Sequence, residues 1–433
     1  EIKECDWSSD VCSSDLPSQL NGRLDNLLGA KTTWEARLKT PAAALPDIHR
    51  QWPDQRFSDV SIDGRGTLDA YSLSMHAKTM WAASRESVTV DAAIEGDLDQ
   101  LRIHALHLTQ SRESLTLQGR LGWHPHLAWH ATMEGAHLDP SRVWENWPGD
   151  VSFQLATEGE RHGTDVKATF LLPKLQGTLR QFPLTGKGEA HVDGNQVHIP
   201  DVLLASAHST LRLQGKIENT VDLSVELHSG NLREIWPQAR GSVDLRGRLS
   251  GQQDKPELSL QLAGARIGFE NTSIDKLSAQ ASGSLAKDGS LKGSLKAEGG
   301  RFGSTSLDRL LVQLNGPLSD HSLTVEGRNT DITAAMTVQG QLIAAAWQGT
   351  IRQLSFADRH FGSWQMRQPA ALSVSSAQCE LKPVCLNGPR SARLCAAGSW
   401  KAEAPWHIHG ELAAFALDRD RKSTRLNSSH IPL

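Results

Sequence analysis

A single tyrosine in 433 residues, with only five cysteines and five methionines, leaves the chain short of several side chains whose abundance would point to a function. Transmembrane β-barrels carry aromatic girdles rich in such residues, so one Tyr beside nine Phe and thirteen Trp argues against an outer-membrane barrel. Charge of one sign is also lacking. The 45 Lys and Arg face 49 Asp and Glu, a formal net charge of −4, which leaves no basic excess to neutralise the phosphates of a nucleic acid. No stretch approaches the ~20 apolar residues that cross a bilayer as a helix.

Catalytic signatures are missing as well. The chain contains no GxSxG elbow, no HExxH and no GxxxxGK[ST] loop, and its Asp and Glu are scattered along polar faces rather than paired for acid–base work. Neither an enzyme activity nor a cofactor is expected. A structural zinc site would use four ligands at CxxC-type spacing, which the chain does not have. His124-x-His126 and His407-x-His409 each set two imidazoles on one strand face, but beside Trp and Pro and with no carboxylate pattern nearby. They read as solvated side chains, and no metal is expected.

What fills the interior is period-two alternation, the pattern of half-buried strands. Leu115, Leu117, Leu121 and Trp123 share one face of LTLQGRLGW while Thr116, Gln118 and Arg120 share the other. Leu127, Trp129, Ala131 and Met133 continue it, as do Leu211, Leu213 and Ile217; Leu223, Val225 and Leu227 with Val221; Val243, Leu245 and Leu249; and Leu258, Leu260 and Leu262. These predict antiparallel strands with one apolar and one wet face. An aliphatic-x-Gly-x-aliphatic pattern recurs around ten glycines, among them Gly119, Gly177, Gly247 and Gly316, and glycines inside strands mark bends, bulges or close approaches.

A longer repeat overlies the alternation. Trp52–Pro53, Trp147–Pro148 and Trp236–Pro237 lie 95 and 89 residues apart, and each follows a helix-like run (ALPDIHRQWP, LDPSRVWENWP, NLREIWP). Asp139 and Pro140 fit a helix cap and first position. The repeat is a handful of strands plus one short helical crossing, about 90 residues long. At eleven to twelve residues per strand and turn, the chain would form on the order of 35 strands. No helical layer is available to cover their apolar face. The sheet must then fold on itself or curl into a trough that accepts something other than its own chain.

Residues 1–16 and 421–433 share neither the alternation nor the turn chemistry and read as foreign, adaptor-like tails. The absence of a start methionine leads us to expect a fragment whose missing N-terminus holds a membrane anchor. Between the tails, Cys379, Cys385 and Cys395 fall within 17 residues. A hairpin through VCLNGPRSARLC would set Cys385 and Cys395 opposite each other at a bridgeable separation, though the spacing suits two buried thiols equally. If bridged, the pair implies an oxidising compartment.

Two segments carry a family resemblance. LSGQQDKPELSLQLAGARI, from Leu249, reads as strand, Gly-led turn, Pro and strand, and is similar to the repeats of the AsmA-like superfamily, which includes the TamB family. The segment from Leu372 to Leu412, with Cys385, Cys395, Gly398 and Trp400 and with Trp347 and Trp364 upstream, resembles the start of a TamB C-terminal domain. The resemblance covers about 17–420. It implies an all-β fold, an elongated, curled antiparallel sheet (a β-taco, or repeating β-groove) with a few short helices between repeats. The groove array would occupy 17–370 and the start of the C-terminal domain 371–420. It further implies a Gram-negative periplasmic protein anchored in the inner membrane, with a TamA-type outer-membrane barrel as partner and phospholipid acyl chains in the groove. The leading expectation is a lipid conduit lined by the sixteen aliphatic residues Leu115, Leu117, Leu121, Leu127, Leu211, Leu213, Ile217, Leu223, Val225, Leu227, Val243, Leu245, Leu249, Leu258, Leu260 and Leu262. The alternatives are an assembly chaperone for outer-membrane and autotransporter β-proteins that works through exposed strand edges, and a structural β-array such as an adhesin stalk.

Overall fold

The computed structural model describes residues 18–26, 32–44, 55–67, 69–80, 86–286, 288–343, 346–402 and 404–414. The two tails and the Trp52–Pro53 pair therefore lie outside the described residues. Alternation gives 27 strands among the described residues, with no helix beyond three single 3-10 turns. The chain forms two units, 1–219 and 220–433. The first carries thirteen strands, from Gln19–Asp25 to Ser209–Ile217, and the second fourteen, from Thr220–Ser229 to His407–Ala413.

Within each unit the strands form an antiparallel ladder in which consecutive strands pair, apart from one split rung near the C-terminal end of the second unit. The all-β, antiparallel fold class read from the sequence is what the structure shows. Among the described residues the strand number is lower than the roughly 35 expected because the strands are longer than that arithmetic assumed. Asp165–Leu179 and Lys255–Phe269 reach 15 residues each, and two-residue hairpins such as 180–181 and 270–271 join many neighbours. At 180–181 both Arg180 (φ 49°) and Gln181 (φ 71°) take the left-handed conformation that suits a two-residue hairpin to the twist of its strands.

The helical crossings contract to one turn apiece. Pro140–Arg142 is a 3-10 turn capped by Asp139, and Leu232–Glu234 another capped by Asn231. Both join strands that are already ladder neighbours, Leu127–Leu138 with Gly149–His162 and Thr220–Ser229 with Ala239–Gln252. Such a link has no second layer to cross, so a longer helix has nothing to bury.

Glycines of the recurring pattern stand where neighbouring chains come closest. Gly177 has φ +144°, and a Cβ there would lie 2.0 Å from the Asp150 carbonyl oxygen. Gly247 lies between Val225 and Leu260 in the ladder, and an added Cβ would meet Val225 Cγ1 at 2.9 Å and Leu260 Cδ1 at 3.4 Å. At these places only glycine lets the strands approach as they do.

Near its C-terminal end the second unit covers its own apolar face. One rung there is split between Gly362–Met366 and Ala370–Val374, both paired with Ala346–Asp358 on one side and Gln378–Asn387 on the other. Pro369, which has no N–H for the ladder, falls in the break. Val338, Ile351, Trp364, Ala370, Val384, Leu386 and Ala392 form a buried cluster, with Trp364 stacked on Phe356 at 5.8 Å. Val384 and Leu386 point into that cluster, so Cys385 between them faces the other way. There it is bonded to Cys395, its direct cross-strand partner. The Cα atoms are 4.1 Å apart, closer than the ~5.5 Å typical of disulfides and near the ~4.5 Å of a directly opposed non-hydrogen-bonded pair. Cys379, expected on an adjacent segment, instead begins the same strand and is a free thiol on its apolar face, out of phase with Cys385 because the register shifts between Leu381 and Val384.

Non-reducing peptide mapping of protein made in an oxidising compartment should recover the 385–395 linkage as the major species. A bridge closing so short a loop should contribute about 2–3 kcal/mol, and the Cys385→Ser, Cys395→Ser variant should lose that amount in urea unfolding. Recovery of all three thiols free would contradict this.

Candidate functional site

The register brings the sixteen nominated residues together as lateral rows within each unit. In the second unit Leu223, Leu249 and Leu258 lie side by side, as do Leu227, Leu245 and Leu262, while Val225 and Leu260 flank Gly247, and Val243 pairs with Gly264. In the first unit the rows run Leu101–Leu121–Trp129, Leu106–Leu117–Met133 and Leu108–Leu115–Gly135. Leu211, Leu213 and Ile217 face Leu204, Val202 and Val197. Leu127 marks the margin: it is opposite Arg161, where the apolar row ends.

These rows are apolar without being interior. Sixteen hydrophobic side chains are buried among the described residues, and none of the sixteen nominated residues is one of them. Fourteen are half-buried, while Leu121 and Leu127 are exposed at 37% each. Covering the exposed third or less of such a leucine side chain is worth at most about 0.5–1 kcal/mol, so a face made of many of them is an acceptor for apolar matter. The opposite face carries cross-strand ion pairs, Arg212 with Asp201 at 2.8 Å, Arg248 with Asp222 at 3.0 Å, and Arg37 with Asp63. Such exposed pairs add little stability, but they keep that face wet and set register.

The crossing at 139–148 turns one part of the apolar face in the first unit into a pocket. Val88, Leu108, Leu115, Val143, Trp144 and Phe153 are among the residues around a hollow of about 430 Å³, within the ~300–1,000 Å³ range of small-molecule sites. The crossing is fixed at three points. Arg142 makes a two-pronged contact with the half-buried Glu113 at 2.8 and 3.0 Å. Trp147 lies under the Arg180 guanidinium, 3.9 Å from its ring centre, and burial there draws the Arg180 pKa down. The Asp139 carboxylate accepts the backbone N–H groups of Ser141 and Gly149, each at 3.0 Å. Burial raises the pKa of Asp139, but the bonds from Ser141 and Gly149 and the nearby Arg142 charge outweigh it, leaving the group below the usual carboxylate value. The second crossing repeats the arrangement in outline, with Asn231 as cap and Trp236 packed edge-on to Phe269 at 6.3 Å. In each case the crossing tryptophan meets the end of the strand two rungs on.

The histidine reading needs correction. His124 and His126 precede the strand Leu127–Leu138 rather than sharing a strand face, and a carboxylate is close: His126 Nε2 is 3.5 Å from Glu160 Oε2 of the neighbouring strand. Sequence reasoning missed this because the partners are more than thirty residues apart and meet only through register. His407 and His409 lie on the exposed terminal strand His407–Ala413. Among the described residues no helix is long and apolar enough to cross a membrane.

The match with known proteins follows this architecture. A family model described as the TamB N-terminal domain covers residues 10–422. The chain belongs to the TamB family. The matched span runs through 371–420, where the resemblance placed the start of a C-terminal domain. A relative, the translocation and assembly module subunit TamB of Haemophilus influenzae (strain ATCC 51907 / DSM 11121 / KW20 / Rd), is 22% identical over 369 residues, 84% of this chain and 28% of the relative. The chain thus spans a little over a quarter of that protein's length.

The depressed pKa of Asp139 sets a pH dependence. Its contribution to the crossing is complete above the ordinary carboxylate pKa of ~3.9 and is lost as pH falls through the lower folded value. Asp139→Ala should speed hydrogen exchange at the Ser141 and Gly149 amides at pH 6 by the equivalent of about 1 kcal/mol. The difference from the parent chain should close on acidification below pH ~3.9. Equal exchange at pH 6 would remove the carboxylate from the crossing's support.

Proposed function

We propose that the half-exposed apolar face is a groove for phospholipid acyl chains and that the chain is a segment of a periplasmic conduit between the inner and outer membranes. The observation that supports this reading is the run of aliphatic rows without protein cover. Acyl chains lie along Leu213, Leu245 and Leu260 and their row neighbours, while headgroups stay at the solvent edge. Away from the pocket at the first crossing the rows resemble one another, which suits transfer. Family membership and the relative's name support a role within a translocation and assembly module; a TamA-type barrel partner and an inner-membrane anchor are part of the same proposal. The Cys385–Cys395 bridge accords with an oxidising periplasm.

Mass spectrometry of the purified chain after gentle extraction should find several co-purifying phospholipids per molecule. Leu213→Asp, Leu245→Asp and Leu260→Asp should each lower that load while leaving a β-rich circular dichroism spectrum, and Arg212→Ala and Arg246→Ala should leave it unchanged. A lipid-free, monodisperse protein, or equal loads in both sets of variants, would overturn the groove reading and favour a structural β-array.

A further inference from the structure

A second cluster lies on the polar face of the first unit, away from the aliphatic rows. Leu127 is opposite Arg161 in the register, so one step further His126 meets His162. Alternation sends Glu160 and His162 out on one face of Gly149–His162, opposite to that of Arg161, and His126, in the turn just before Leu127, reaches the same face. The two imidazole rings are 4.1 Å apart between centres, with planes at 30°. One nitrogen of each ring and a carboxylate oxygen of Glu160 all lie within 4.8 Å of one another. His126 and Glu160 are half-buried and His162 is exposed.

We propose that His126, Glu160 and His162 bind one divalent first-row transition ion of the zinc or copper class. Two imidazoles and a carboxylate form the donor set such borderline ions favour. Ligand atoms ~2.0–2.1 Å from a tetrahedral ion stand about 3.3–3.4 Å from each other, and the His126 Nε2 to Glu160 Oε2 distance of 3.5 Å already matches. Small rotations of two surface side chains bring the third atom in. The fourth position stays open to water, and Asp165, opposite His162 in the next strand, adds negative charge to the corner.

The surroundings set this cluster apart from an ordinary surface histidine pair. Other histidines of the polar face meet single carboxylates, as His76 does Asp91 at 2.6 Å and His228 does Asp244 at 2.5 Å. Among the described residues, His126, Glu160 and His162 are the one grouping of three potential ligands. Lys167, which faces Glu160 across the next strand pair, has its ammonium 3.4 Å from Asp193. The two strands are joined at one end by the 139–148 crossing, and the three residues sit at the other. A bound ion therefore clips the open end of the same pair.

The test uses the full chain, purified without a polyhistidine tag and stripped with chelator. Calorimetric titration with zinc chloride should show one tight site per chain. His126→Ala and His162→Ala should each weaken it by more than the ~10–100-fold that losing an outer partner of a metal site costs. His130→Ala, four residues along from His126 and opposite Glu158, should leave it intact. Because all three positions are on the wet face, circular dichroism should show unchanged strand content. Copper(II) added in equal amount should give an electron paramagnetic resonance signal coupled to two nitrogens in the parent chain and not in the variants. A zinc isotherm the same in the parent and in the double variant, or no stoichiometric binding, would overturn the proposal.

Discussion

Each unit depends on one constraint: its antiparallel ladder alternates apolar and polar side chains, and among the described residues no second protein layer covers most of the apolar side. In an ordinary sandwich or barrel the inner faces cover each other. Here Leu223, Leu249 and Leu258 make a continuous row that remains half-exposed. A row of this kind is stable only in contact with something apolar. The end of the second unit, around Trp364 and Val338, shows the contrast, because a split rung and a short turn there do cover the face and bury it.

The repeating features serve that constraint. Glycines at positions such as Gly247 let flanking side chains close over the backbone, and the crossings at 139–148 and 231–238 are tied down by a cap, an ion pair or an aromatic contact rather than by a helix. The first crossing also makes the apolar pocket beside Leu115. Most charges lie on the other face in short cross-strand pairs; on the apolar side they stand at the first crossing, as Arg142 with Glu113, and at margins such as Arg161.

Much of this was legible in the sequence because period two is a direct signature of a half-buried strand. The rows through Leu117, Leu213 and Leu260 follow from it, and Asp139–Pro140 and the Trp-Pro pairs mark the crossings. The count of strands was not legible. A hairpin turning on Arg180 and Gln181 lacks the Asn-Gly signal that such turns usually carry. The register shift between Leu171 and Lys174 changes the phase of alternation within one strand. The meeting of His126 with Glu160 and His162, and the place of Cys379 on the Cys385 strand, needed the register itself.

The central claim is that lipid, and not protein, covers the aliphatic rows. Site-specific photocrosslinking tests it most directly, with a benzophenone amino acid placed at Leu213 or Leu260 on the apolar face and at Arg212 or Gln261 on the polar face, in cells whose phospholipids carry a radioactive phosphate. The account predicts labelled lipid attached at the first two positions and none at the second two. Labelling on both faces alike, or attachment of protein alone at Leu213 and Leu260, would contradict it.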